Sequence, residues 1–97
     1  MRQFDIVRMN DGSLAILLQA DLIDDLTTRV VAPLVSTAMI KDAPKLHPKF
    51  QVQGKAYYMA AELLSAVMTR EIKQRVSSAR EREWDIRRAL DLVLVGV

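Results

Sequence analysis

One histidine, a tight group of three aspartates and five serines are the residues of this chain whose types could do chemistry. His47 could act as a general base or a metal ligand. It lies between Pro44 and Pro48 in a polar loop, with no second ligand at metal spacing, so a surface role is expected. Asp21, Asp24 and Asp25 could form an acid pair or a cation site, but turns and caps are the commoner use of such residues. Serines 13, 36, 65, 77 and 78 lack the strand-to-helix glycine context of a hydrolase nucleophile. The three glycines, at 12, 54 and 96, make no phosphate-binding loop, and no cysteine is present to ligate metal or form a disulfide. No catalytic residue, metal or cofactor is therefore expected, and His47→Ala should leave activity unchanged.

Ninety-seven residues support one domain, 1–97, and a hydrophobic fraction of 51% is ample for its core. A domain this small gains from pairing with a second copy. No apolar stretch reaches the length of about 18 residues that a membrane helix needs. The start, Met-Arg-Gln-Phe-Asp, has no hydrophobic leader, which points to the cytoplasm. A net charge of +2 is too small to indicate nucleic-acid binding. The richest basic stretch, 70–88, mixes seven Lys/Arg with four Asp/Glu, the pattern of a solvated face.

The elements that must position these residues begin with a hairpin. Phe4 and Ile6 alternate with polar residues, Asn10-Asp11-Gly12-Ser13 is a strong turn, and Leu14, Ile16 and Leu18 share one face of a second strand. Thr27 to Leu34 is β-branched and reads as a third strand, with Pro33 fit only for an edge, a bulge or a strand end. Val35 to Ile40 could add another strand, and 41–49 is a proline-bearing loop. Gln53-Gly54 joins a second hairpin. Met59 to Ile72 favours helix by local propensity and stays open. Ser78-Ala79-Arg80-Glu81 fits a capping box. Ile86, Ala89, Leu90, Val93 and Val97 then recur at helical spacing, with Trp84, Arg88, Asp91 and Val95 on the other side. Strands followed by one terminal helix argue for an antiparallel α+β domain.

The chain ends on Leu-Val-Leu-Val-Gly-Val, six residues with no charge and no polar side chain. This tail and the segment QADLIDDLTTRVVAPL, 19–34, resemble the CcdB family of gyrase-poisoning toxins. So does the whole of EWDIRRALDLVLVGV, 83–97, with Leu46-His47-Pro48 and the Gln53-Gly54 hairpin similar to the family's middle. The resemblance implies a small SH3-like β-barrel or sheet with a C-terminal α-helix, assembled as a homodimer, and it implies that 59–72 is mostly strand. It also implies a toxin of a type II toxin–antitoxin module, not an enzyme. Such a toxin enters the GyrA subunit of DNA gyrase, traps the DNA-cleaved complex, and is neutralised by a CcdA-like antitoxin. No sequence-specific nucleic-acid contact and no membrane are implied.

Residue by residue, the gyrase-contacting positions of the family fall on Leu22, Ile23, Asp91, Leu94, Val95, Gly96 and Val97. The Leu22-Ile23 pair stands for two isoleucines, Asp91 for an asparagine, Leu94 for a phenylalanine, and Val95-Gly96-Val97 for Trp-Gly-Ile. Losing an aromatic anchor at Val95 bears on potency, since such anchors are costly to lose from an interface. Trp84 is no substitute, being about 16 Å away along a helix. Two alternatives stand beside gyrase poisoning. One is an endoribonuclease of the similarly folded Kid/MazF type, for which Arg29, Arg70 and Asp24 are the nominees. The other is a degenerate toxin that binds only its antitoxin.

Overall fold

The computed structural model describes residues 1–20 and 27–96. Seven strands and one α-helix make up its regular elements: β1 (Asp5–Met9), β2 (Leu14–Leu17), β3 (Thr28–Ser36), β4 (Lys49–Val52), β5 (Lys55–Met59), β6 (Ser65–Met68), β7 (Ile72–Ser78) and α1 (Glu83–Leu94). All pairings are antiparallel, in the order β4-β5-β3-β2-β1-β7, with β6 added to β3.

The nine-residue β3 organises the sheet. One edge pairs with β2 from Leu14↔Leu34 to Leu17↔Val31. Its other edge is split. Residues 28–31 pair with β6 and residues 34–36 with β5. Pro33 sits where β6 hands over to β5, and its carbonyl accepts from Ala60 N at 3.0 Å. A strand residue's nitrogen points to the same side as its carbonyl, so the missing N–H falls in a gap of the ladder and costs no hydrogen bond. Proline thus tolerates the middle of a strand because its outer edge changes partner there.

Two tight turns set the register. In the first, Gly12 takes φ +91 and the Asp11 carboxylate accepts from Ser13 N at 2.9 Å and from Ser13 Oγ at 2.6 Å. Those bonds, the hydroxyl's first, hold the Asp11 pKa below its ordinary value. In the second, Val52 pairs with Lys55, and both central residues, Gln53 (φ 51) and Gly54 (φ 82), are left-handed. Positive φ at both positions is the two-residue hairpin whose twist matches that of the strands.

The sheet curls into a half-barrel, helped by two register shifts between β1 and β7. Every residue of β2 is therefore buried, and on both faces. Leu14 and Ile16 join Ile6, Ala32, Leu34, Phe50, Val52 and Met59 on the helix side, with Leu18 packed against them. Ala15 and Leu17 join Val7, Met9, Val31 and Ile72 inside the curl. Asp5 is 4% exposed at the curl's rim, with its carboxylate 2.8 Å from Arg2 N and 3.2 Å from Arg75 Nε. Phe4 is buried at φ 69, a strained conformation for a bulky residue. It is held there by Phe4 N donating to Leu17 O at 2.7 Å and Phe4 O accepting from Ala79 N at 2.8 Å.

Three expectations change. No separate strand covers Val35 to Ile40: β3 runs on through Ser36 and a turn follows. The 59–72 segment is neither helix nor mostly strand. It is a 3-10 turn (Ala61–Leu63), the four-residue β6, and a second 3-10 turn (Thr69–Glu71). The capping box does not form. Ser78 Oγ accepts from Arg80 N at 3.2 Å, a 3-10 turn spans Arg80–Arg82, and α1 starts at Glu83 without a side-chain cap. The 3-10 turn moves the first α-helical amides beyond the reach of Ser78.

Candidate functional site at the end of the terminal helix

Helix α1 buries Ile86 and Ala89 in the core and packs Leu90 and Val93 against it. Trp84, Arg87, Arg88 and Asp91 are exposed, so the sequence stripe is reproduced from Ile86 to Val93; its last member, Val97, lies outside the described residues. A lattice of ion pairs runs along its N-terminal half: Arg82 Nε to Asp85 at 2.8 Å, Arg87 to Glu83 at 3.0 Å, and Arg88 to Asp85 at 3.2 Å. Arg82 also lies over the Phe50 ring at 4.8 Å and donates to Lys49 O at 2.6 Å, tying the helix start to β4. The hydrogen bond from Arg82, with both arginine charges, holds Asp85 below its ordinary pKa of 3.8. A depressed carboxylate contributes stability above its unfolded pKa and loses it as pH falls through the folded one. Asp85→Asn is therefore expected to lower Tm at pH 7. The difference should shrink as pH falls below the ordinary aspartate range and through the lowered folded-state value, as a pH series of melts would show.

The C-terminal end of α1 is built differently. Asp91 O accepts from Val95 N at 2.8 Å and from Gly96 N at 3.0 Å, and Gly96 takes φ +85. This is a left-handed glycine closure of a helix. Around it Leu94 is 69% exposed and Val95 70%. No basic residue lies in the last turn, while Asp91 places a carboxylate at the negative end of the helix dipole. The glycine closure is favourable, but the acidic Asp91 and the absence of a basic residue oppose the helix dipole, and Leu94 and Val95 leave apolar surface uncovered. Leu94 also borders an apolar groove of about 330 Å³ with Leu18, Ala20, Val30, Leu64 and Leu90.

Of the expected contact residues, Asp91, Leu94, Val95 and Gly96 thus form one exposed cluster. Leu22, Ile23 and Val97 lie outside the described residues. Leu18 and Ala20, which lead toward the Leu22-Ile23 pair, share the Leu94 groove. Among the nuclease nominees, Arg29 lies on β3 opposite Val67, Arg70 is exposed in the turn before β7, and Asp24 is outside the described residues. Asp21 and Asp25 are outside them as well. Among the described residues no group of three or more His, Cys, Asp or Glu could hold a metal, and no helix is long and apolar enough to cross a membrane.

His47 is the clear correction. It is only 6% exposed, not a surface residue, and it has partners. Nδ1 lies 3.1 Å from the Lys41 carbonyl oxygen, to which it donates, and Nε2 lies 2.8 Å from the Glu62 carboxylate. Its ring also lies 6.2 Å from that of Tyr58, whose pKa is raised by burial and by Asp42. His47 therefore clamps the 41–48 loop to the 3-10 turn before β6. No sequence spacing signals a pair fifteen residues apart across an unassigned segment. His47→Ala is expected to destabilise the fold by about 1–3 kcal/mol, because the Lys41 carbonyl and Glu62 lose their partner. Urea denaturation measures that cost, and an unchanged midpoint would remove the clamp's structural role.

The CcdB family model matches residues 3–96, from before β1 to the closing glycine. This chain belongs to the CcdB family. It is accordingly a toxin of a toxin–antitoxin system. Solved structures of like fold include the Mycobacterium tuberculosis toxin MazF-mt6, with a TM-score of 0.77 at 11% identity over 95% of each chain. A mycobacterial endoribonuclease in complex with its cognate antitoxin gives 0.79 at 13%, covering 97% of this chain and 94% of that one. The MazE–MazF structure from Deinococcus radiodurans (Form-III) gives 0.77 at 16%, covering 100% and 98%. At these identities the likeness establishes the fold, a curled antiparallel SH3-like half-barrel with a C-terminal helix.

Proposed function

We propose that this CcdB-family toxin is one domain, 1–97, that acts as a homodimer in the cytoplasm. It poisons DNA gyrase by binding the GyrA subunit and trapping the DNA-cleaved complex, and a CcdA-like antitoxin neutralises it. The observation that carries this reading is the end of α1. Exposed Leu94 and Val95 and the unfavourably placed Asp91 coincide with the family's contact positions. Leu22, Ile23, Gly96 and Val97 complete the proposed surface. The action is binding, not catalysis. Trapping a cleaved complex needs a wedge of the right shape and no acid, base or metal of the toxin's own.

The fold likeness to endoribonuclease toxins supports a second reading, RNA cleavage. One experiment separates the two. The purified chain is incubated with gyrase and supercoiled plasmid, then with total RNA, and both are scored for strand breaks. Linear plasmid appearing only with gyrase present is expected. RNA cleavage without linear plasmid would establish the nuclease instead, and neither activity, with antitoxin binding intact, would mark a degenerate toxin. Light scattering that gives a monomer at micromolar concentration would remove the homodimer.

A further inference from the structure

Six large apolar residues stand exposed among the described residues, and three of them lie on the outer side of α1. Trp84 is 76% exposed, more than any of the others, and Leu94 and Val95 follow at the far end of the same helix. The remaining three, Met1, Met39 and Leu63, belong to three separate segments. Trp84, Arg88, Asp91 and Val95 recur at helical spacing and share one face, with Arg87 and Leu94 flanking it. All six are exposed. The face therefore carries apolar side chains at both ends and charges between them.

This face is prepared for cover. The Arg87 guanidinium lies over the Trp84 ring, 5.2 Å from its centroid, and is itself held by Glu83 at 3.0 Å. The indole is thus fixed on one side and open on the other. A ring already held in place loses less rotamer freedom when a partner packs on it. Arg88 pairs with Asp85 at 3.2 Å, so both arginines of the face have carboxylates of their own. Covering them strands no unpaired guanidinium, the usual penalty for desolvating such a surface.

Trp84 lies about 16 Å from Val95 along the helix axis, so it does not take the place of Val95. It can share a partner with it. A protein contact of ordinary size covers roughly 800 Å² on each side, a patch about 30 Å across. A partner seated on Leu94 and Val95 and aligned with the helix reaches Trp84. On the reading of this chain as a gyrase poison, we propose that the GyrA contact runs along the outer face of α1, with Leu94 and Val95 at one end and Trp84 as a second anchor at the other.

Trp84 is the only tryptophan of the chain, so 5-fluorotryptophan labels this position alone. Purified GyrA is titrated into the labelled full-length chain and the fluorine resonance is followed by NMR. Calorimetry gives the GyrA affinity of the unsubstituted chain, Trp84→Ala and Trp84→Phe. The resonance is expected to shift or broaden in step with binding. Trp84→Ala should bind GyrA at least about tenfold more weakly, the loss typical of an aromatic anchor, and Trp84→Phe should keep most of the affinity. Melting temperatures of both variants should be unchanged, because the indole lies outside the core. GyrA binding that leaves the resonance unmoved, or full affinity in Trp84→Ala, would overturn the second anchor while leaving the gyrase reading in place. So would a Trp84→Ala loss matched by a fall in melting temperature, since the residue would then be structural. No GyrA binding by the unsubstituted chain would overturn both.

Discussion

Removing residues 95–97 is expected to abolish GyrA binding while leaving the fold in place. Val95 is 70% exposed and Gly96 is exposed, so neither contributes core area. The deletion releases the Asp91 carbonyl from its two closing bonds, but at an exposed helix end water takes their place. The stability cost should stay on the order of 1 kcal/mol, the value for partial burial of one valine. Binding should respond differently, because the exposed apolar end of α1 is the proposed contact. The converse change, Val95→Trp, should strengthen binding by adding an aromatic anchor at the centre of that surface. GyrA affinity and melting temperature, measured for both variants, decide the matter. A truncated protein that unfolds would make the tail part of the core. One that binds gyrase undiminished would move the contact site elsewhere. Antitoxin binding by the truncated chain is expected to persist if the antitoxin uses another surface.

What could be read from the chain beforehand follows the range of the interactions involved. The Asn10–Ser13 turn, the Gln53-Gly54 hairpin and the α1 stripe are local devices, since a turn residue or a 3.6-residue period acts within a few positions. They appear where the sequence places them. The 59–72 segment fails for the opposite reason. Ala60, Ala61 and Leu64 favour helix by propensity, but Ala60 N is needed by Pro33 O and Ser65–Met68 by the free edge of β3. Non-local pairing overrode a preference of tenths of a kcal/mol per residue. The burial of His47 is invisible in the sequence for the same cause. Its burial depends on Lys41 and Glu62, brought together only once β6 is paired. The exposed end of α1 was legible because an apolar terminus is anomalous in itself. The resemblance to CcdB, not spacing, attached a partner to it.

Ile86→Ala is expected to be the most destabilising single substitution on α1. The side chain is fully buried, and with Ala89 it is the helix's main insertion into the layer formed by Phe4, Ile6, Leu14, Ile16, Phe50 and Met59. Its loss removes apolar burial and leaves a cavity, since the strands on the opposite side are fixed by their ladders. Such truncations cost about 2–5 kcal/mol. A small domain has roughly 5–15 kcal/mol in total, so the loss is a large share of it. The urea midpoint should fall sharply with an unchanged slope, the signature of lost stability without altered compactness. A shift below about 1 kcal/mol would mean that α1 is only loosely docked on the sheet. The rigid presentation of Leu94 and Val95 would then fail as well, because their geometry is inherited from the anchor at Ile86. Comparing this variant with the tail deletion separates the two roles of one helix. Ile86→Ala should lose stability first and binding as a consequence, whereas the deletion should lose binding alone.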